Sequence, residues 1–161
     1  MASTPLWVQK TISEVAHFRI QDAGIFTYNT AGQVSRLANF GFKNSGKNTA
    51  KVTETILVAL DTGLNPLKPV VIRKSLQEEF EPGHDFTVSL PIVSMNDNAA
   101  PALFFLKIEY EDAITRRRMT QSFFHKWGGA KNGVFVANFG LPTKEERNTL
   151  TDIIKGLSIT P

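Results

Sequence analysis

The sequence predicts a mostly β fold: a β-sandwich of seven to nine strands with a C-terminal amphipathic helix. From residue 18 to residue 136, short segments of alternating apolar and polar residues are separated by Gly, Pro, Asn and Asp, a pattern typical of all-β domains. Residues 144–155 instead repeat apolar side chains at helical spacing. Because 161 residues is the usual size of one domain, residues 1–161 are predicted to form a single domain, with 1–16 as an N-terminal arm.

Two predicted strands flank a turn-forming segment at residues 44–49. The first strand, 33–43, places three apolar residues on one face, namely Ala38, Phe40 and Phe42. The second, 50–60, is predicted to point four apolar side chains inward, namely Val52, Ile56, Val58 and Leu60. Asn and Gly in the segment between them tolerate a left-handed backbone, so it is predicted to be a hairpin turn. A phosphate-binding loop is disfavoured because Asn48 follows Gly46-Lys47 where the motif needs Ser or Thr.

The strongest hairpin signal lies between residues 104 and 127. Four apolar residues alternate on its first arm and are predicted to face the core: Phe104, Leu106, Ile108 and Tyr110. Residues 119–127 form the returning arm, around a turn at 113–115. Since both arms are long, the pair is predicted to be central in its sheet. Phe123 and Phe124 point to opposite faces, one into the core and the other under the C-terminal helix.

The helix predicted over 144–155 carries clear signals at both ends. Thr143 and Glu146 have the spacing of a capping box, and Gly156 is a suitable stop. Its apolar stripe consists of Leu150, Ile153, Ile154 and Leu157. That stripe must be covered, so the helix is predicted to pack over an open end or an edge of the sandwich.

Composition excludes several kinds of chemistry. The absence of cysteine excludes disulfides, thiolate nucleophiles and cysteine-ligated metals. The three histidines, His17, His84 and His125, fall in separate segments without metal-ligand spacing, so no metal or other cofactor is expected. No serine lies in a G-x-S-x-G elbow. The net charge of +3 is spread along the chain apart from one cluster, and no nucleic-acid partner is expected.

The one charge cluster is the run Arg116, Arg117 and Arg118. It lies across the predicted hairpin turn from three acidic residues, Glu109, Glu111 and Asp112. The structural interpretation is a set of exposed cross-strand ion pairs, each contributing about 0.2–1 kcal/mol. The functional interpretation is a patch for an anionic partner such as a phosphate or a lipid headgroup. The three arginines are therefore the candidate site residues of the sequence.

Two regions of the chain resemble a group of bacterial envelope proteins. Residues 42–52 read FKNSGKNTAKV, which resembles the strand–turn–strand motif N-x-G-x-T-P-A-x-x-V. Residues 105–112 and 118–123 read FLKIEYED and RMTQSF, which resemble Y-x-G-x-I-x-Y-x-D-x-x-G-x-x-x-x-T-x-F. Glu81-Pro82-Gly83 before an alternating strand fits the same layout. The chain departs from the motifs at Thr49, where proline is usual, and at Thr115, where glycine is usual.

The resemblance implies a fold and a location, and it carries over no catalytic or ligand residue. The proteins it points to have an N-terminal membrane helix followed by a small immunoglobulin-like domain. An immunoglobulin-like β-sandwich and a periplasmic or cell-envelope location are therefore expected, and a missing N-terminal anchor would place the domain near a membrane; the sequence leaves open whether a signal or anchor was removed ahead of Met1. The first residues show neither a charged segment nor an apolar core of a signal peptide, and no stretch approaches the roughly 20 apolar residues of a membrane span.

The sequence favours one class of function and leaves two others open. A non-enzymatic binding or assembly module, with a protein partner or a second copy of itself, is favoured because no catalytic motif is present and because β-sandwiches bind through edge strands and end loops. A structural or coat-type self-assembling subunit would account for the 12 phenylalanines. An enzyme would need a site built from scattered residues such as His84, Asp85 or Glu109.

Overall fold

The computed structural model describes residues 15–92, 98–135 and 139–161. Most of the predicted arm, residues 1–14, lies outside the described residues, as does the predicted strand end at residue 136. The described part is mostly β, with nine strands and one helix. The strands are β1 (Phe18–Thr30), β2 (Gln33–Asn44), β3 (Ala50–Asp61), β4 (Val70–Phe80), β5 (Asp85–Ile92), β6 (Ala102–Asp112), β7 (Arg118–Trp127), β8 (Ala130–Lys131) and β9 (Val134–Phe135).

Two antiparallel sheets hold seven of these strands. One has the order β1-β2-β5 and the other the order β4-β3-β6-β7, while β8 and β9 form a separate short hairpin. The connections β2–β3, β4–β5 and β5–β6 therefore join strands of different sheets. The two sheets share a single apolar core, to which β1, β2 and β5 contribute from one side and β3 and β6 from the other. This gives a sandwich-like arrangement of two layers.

The segment at 45–49 connects the two sheets, so the prediction of a hairpin turn there was wrong. Asn44 explains the difference. Its buried side chain bonds to the segment that crosses between the sheets, and β2 and β3 do not pair with each other. Its Nδ2 donates to the carbonyls of Asn48 and Phe80, both at 2.9 Å, and its Oδ1 accepts from the amide of Gly46 at 3.0 Å. Gly46 lies against the backbone of residues 15–17, where a Cβ would not fit.

The core between the sheets is built mainly from aromatic rings. The predicted inward rows are confirmed: Ala38, Phe40 and Phe42 on β2, and Phe104, Leu106, Ile108 and Tyr110 on β6, are all buried. Phe18 is at the centre of one cluster, with edge-to-face ring contacts to Tyr110 at 5.0 Å, Phe86 at 5.7 Å and Phe80 at 6.3 Å. Such pairs add to the burial of apolar area.

The inward row predicted for β3 does not lie on one face. A register shift between Val52 and Glu54 marks a bulge in the pairing of β3 with both of its neighbours. An extra residue at a bulge reverses the face to which later side chains point. Val52 therefore faces the other sheet, while Ile56, Val58 and Leu60 face the opposite side.

That opposite side is covered by α1 (Lys144–Gly156). The predicted capping box is confirmed, since Thr143 accepts from the amide of Glu146 and Glu146 accepts from the amide of Thr143. Leu150 and Ile154 are buried in a second apolar cluster that also contains Ile56, Val58, Leu60, Leu103 and Phe105. The helix thus packs on the face of the four-stranded sheet and not over an end or an edge. The bulge in β3 and the continuous apolar run of β6 create that face.

The β6–β7 hairpin forms with the predicted arms, but only β6 is central. β6 pairs with β3 and β7, whereas β7 is the last strand of its sheet order. The predicted division of the two rings is confirmed, because Phe123 packs against the inter-sheet core and Phe124 against the cluster under α1. Of the other two residues of the predicted helix stripe, Ile153 is partly buried against the same cluster and Leu157 is the exposed C-cap.

Candidate functional site

The three candidate arginines lie at the tip of the β6–β7 hairpin and are exposed. Arg116 has a left-handed backbone, with φ 62°, and its Nη1 lies 3.5 Å from Oε1 of Glu111. Glu109 pairs instead with Lys107 on its own strand, at 3.2 Å. The prediction placed acidic and basic residues opposite each other across the hairpin. Among the described residues, one such ion pair is present, between Arg116 and Glu111.

Asp112 has a different role from the one predicted, because it is fully buried. Its carboxylate accepts hydrogen bonds from the amides of Ile114 at 2.9 Å and Thr115 at 2.8 Å, which close the hairpin turn. It also accepts from the amide of Ala16 at 2.6 Å and from Nδ2 of Asn48. Burial opposes ionisation of this carboxyl, but these hydrogen bonds outweigh it and lower its pKa. Asp112 therefore joins the hairpin to the segment before β1 and to the crossing turn.

Replacing Arg116, Arg117 and Arg118 together with serine is expected to change the free energy of unfolding by no more than about 1 kcal/mol, because one exposed pair is lost. Urea denaturation measures this change, with Arg73→Ser, which removes a similar exposed pair to Glu54, as the matched control. Binding to heparin and to anionic vesicles is expected to be the same before and after the substitution. A salt-sensitive interaction that disappears in the triple variant while stability is unchanged would instead identify the hairpin tip as a binding site.

The scattered residues of the enzyme interpretation are not brought together. His84 lies in the exposed turn before β5, and Asp85 is the exposed first residue of that strand, where it accepts from Nε2 of Gln21 at 2.9 Å. Glu109 lies on the other sheet and lines a cleft that includes neither of them. Among the described residues, no group of three His, Asp or Glu side chains is placed to hold a metal ion. None of the described helices has the length and apolar character to cross a membrane.

A surface cleft of about 630 Å³ lies between the start of β1 and the open edge of β7. Its floor includes the middle of β7, from Gln121 to His125, and one wall is formed by residues 17–20. The opposite wall is formed by Leu141, Pro142 and Arg147, which belong to the connection into α1 and its second turn. The cleft thus lies where β1, an edge strand of one sheet, faces β7, an edge strand of the other. We refer to it as the β1–β7 cleft.

The side chain of Gln121 holds the two edges together at one end of the β1–β7 cleft. Its Oε1 accepts from the amide of Phe18 at 2.7 Å and its Nε2 donates to the carbonyl of Phe18 at 2.9 Å. The Tyr110 hydroxyl donates to the same Oε1 at 2.8 Å. A carboxamide therefore makes the pair of hydrogen bonds that a neighbouring strand would otherwise make. At the other end, the Lys126 backbone exchanges both hydrogen bonds with Gly140, at 2.9 and 2.8 Å.

The chemical character of the β1–β7 cleft is apolar and basic. Among the described residues, its lining contains no Asp or Glu but includes Arg19, Arg147, His17 and His125. The guanidinium of Arg147 lies 4.4 Å from the centre of the Phe124 ring, a cation–π contact that fixes its position. Burial lowers the pKa of His125 and so favours its neutral form. The arrangement has the features of a binding surface, since it combines a strand edge, aromatic rings and cations.

No family model matches the chain. No curated protein matches it either. Among solved structures, it is similar to the crystal structure of a candidate ApaA protein from Bordetella pertussis, with 10% sequence identity and a TM-score of 0.46. That similarity covers 75% of this chain and 98% of the other chain. At this level the similarity carries no functional argument.

Sequence reasoning missed the β1–β7 cleft although it named several of its residues. Whether β7 lies at an edge depends on how many strands pair with it. The length of the hairpin arms, on which the prediction of a central pair was based, does not indicate this. Gln121 gives no motif signal, because a glutamine that bonds a distant backbone looks like any polar residue of an alternating strand. The one available signal was Pro142, which has no amide to continue a ladder beyond Gly140.

Proposed function

We propose that this protein is a non-enzymatic binding module of immunoglobulin-like fold and that its partner, a protein, docks in the β1–β7 cleft. The observation that carries the proposal is the open edge of β7, which is flanked by Arg19 and Arg147 and has no acidic side chain among its described lining residues. A sheet edge with this lining offers main-chain hydrogen bonds for affinity and side-chain contacts for selectivity.

The strand connectivity supports the immunoglobulin-like part of the proposal. Three strands in the order β1-β2-β5 face four in the order β4-β3-β6-β7, with crossings between the sheets after β2, β4 and β5. Greek-key crossings of this kind are shared by immunoglobulin-like sandwiches. Domains of this class bind through their edges and end loops, which is consistent with a cleft at an edge. We also propose a location in the cell envelope, which the family resemblance implies.

The lining of the β1–β7 cleft favours binding over catalysis, because no described carboxylate is placed there to orient His17 or His125. His125 is its half-buried titratable group, and its ring lies 5.7 Å from the Phe40 ring. Burial lowers the pKa of His125, and no described carboxylate in the lining orients its ring, so the cleft lacks the paired groups of general acid–base catalysis. The lining residues therefore supply contact surface and charge.

Site-specific photo-cross-linking in the native host tests the proposal. A benzophenone side chain in place of Ser122, an exposed residue of the β1–β7 cleft, is expected to give discrete protein adducts. The same group in place of Thr149, which is exposed on α1 and outside the cleft, serves as the matched control and is expected to give none. Mass spectrometry identifies each adduct, including a second copy of this chain. Equal adducts at both positions, or none at Ser122, would refute docking in the cleft.

A further inference from the structure

We infer that the partner of the β1–β7 cleft is an extended, acidic peptide segment that adds a strand to the edge of β7. This inference rests on the proposed function and names the class of partner that the cleft accepts. Three independent features of the described residues lead to it: the direction of the β7 backbone groups, the length of edge left open, and the sign of the charge on the walls.

The backbone of β7 presents hydrogen-bonding groups to the β1–β7 cleft at two residues. Both backbone groups of Lys126 point away from β6, because they bond to Gly140. In an antiparallel ladder the direction alternates along the strand, and the β6–β7 register runs without interruption. The N–H and C=O of Phe124 and Ser122 therefore also point away from β6. Within the described part of the chain, no backbone partner is found for these four groups.

The open edge has a defined length. It is bounded by the Gln121–Phe18 hydrogen bonds at one end and by the Lys126–Gly140 pair at the other. Pro142 would be opposite Phe124 if that pairing continued, but it has no N–H and the chain turns into α1. The gap accommodates about four or five residues of an extended segment, at about 3.3 Å per residue. A short linear segment fits it better than the edge of a folded sheet.

The basic walls of the β1–β7 cleft favour a negatively charged segment. Neither Arg19 nor Arg147 forms an ion pair with a described residue, and no described carboxylate lines the cleft. Lys126, by contrast, is already paired with Glu146 at 2.8 Å. Two guanidinium groups on opposite walls, neither of them paired with a described carboxylate, favour acidic residues at both ends of the segment. Leu141, which is 80% exposed, and the rings of Phe123 and Phe124 provide apolar contacts for alternate side chains between them.

Selection from a displayed library of random 12-residue peptides tests the inference. The enriched peptides are expected to carry net negative charge and to alternate β-branched or aromatic residues over at least four positions. Hydrogen exchange with the best synthetic peptide is expected to slow at least about tenfold at the amides of Ser122 and Phe124. A selection that yields no peptide, or peptides without acidic bias, would overturn the inference.

Variants at Ser122 separate main-chain pairing from general charge attraction. Ser122→Pro removes the outward N–H without touching the ladder to β6, and is expected to weaken peptide binding about tenfold or more. Ser122→Ala keeps that N–H and is the matched control, expected within twofold of the wild type. Arg19→Glu is expected to weaken binding about two- to fivefold at low salt.

Two results would contradict strand addition while leaving the proposed function intact. One is peptide binding that Arg19→Glu weakens but Ser122→Pro does not. The other is a cross-linked partner at Ser122 that leaves exchange at Ser122 and Phe124 unchanged, which would indicate docking of a folded surface. If Ser122→Pro fails to fold, the exchange measurement on the wild-type chain decides between strand addition and docking of a folded surface.

Discussion

Asp112→Ala is expected to lower the free energy of unfolding by about 3–5 kcal/mol, because it removes the shared acceptor of three backbone amides and the Asn48 side chain at a buried position. Urea denaturation measures the loss. Asp61→Ala is the matched control, since Asp61 is exposed and accepts one hydrogen bond, from Gly63 at 2.8 Å; it is expected to cost less than about 1 kcal/mol.

The same carboxylate predicts a dependence of stability on pH. The pKa of Asp112 is lower in the folded protein than its ordinary value of 3.8, so the stability it contributes is present above that value and is lost as pH falls through the folded pKa. Glu146, whose pKa is lowered mainly by its hydrogen bond to Lys126, acts in the same direction. Asp112→Asn is therefore expected to lose less stability on acidification below about pH 4 than the wild type. Parallel acid profiles for the two proteins, or a small effect of Asp112→Ala at neutral pH, would contradict this role.

Phe18→Ala is expected to destabilise the protein by about 3–5 kcal/mol. Phe18 has no exposed surface and contacts three aromatic rings from both sheets, so its loss leaves a cavity that neighbouring side chains cannot fill. Phe26→Ala removes the same atoms from the same strand at a position that is 45% exposed, and is expected to cost less than about 1.5 kcal/mol. Chemical denaturation compares the two variants, and similar losses would show that Phe18 is not central to the core.

Local patterns predicted most of the strands and the helix because their signals lie within a few residues of each other. The capping pair Thr143 and Glu146 needs only a spacing of three, and the alternation of Phe40 and Phe42 needs only two. The hairpin around 113–115 was found in the same way. Each of these features depends on short-range geometry that does not change with the surroundings.

The wrong predictions all depended on long-range pairing. Asn48 belongs to a turn between sheets because Asn44 bonds to Phe80, 36 residues away, which no local pattern indicates. The bulge after Val52 moves Ile56 to the other face without any change in composition. Asp112 was assigned to an exposed ion pair because its partner Ala16 is 96 residues distant. The β1–β7 cleft depends on the same kind of information, since it exists only where two separate edges meet.

The second apolar cluster has a consequence for how the protein is made. β6 is buried on both sides, and its outer side is covered by α1 through Leu150 and Ile154. Residues 144–156 leave the ribosome after every described strand, so a nascent sandwich presents Val58 and Phe105 to its surroundings until the helix arrives. During that interval the growing chain carries an uncovered apolar sheet face of the kind that chaperones recognise. The capping box, which favours the helix before it docks, shortens that exposure.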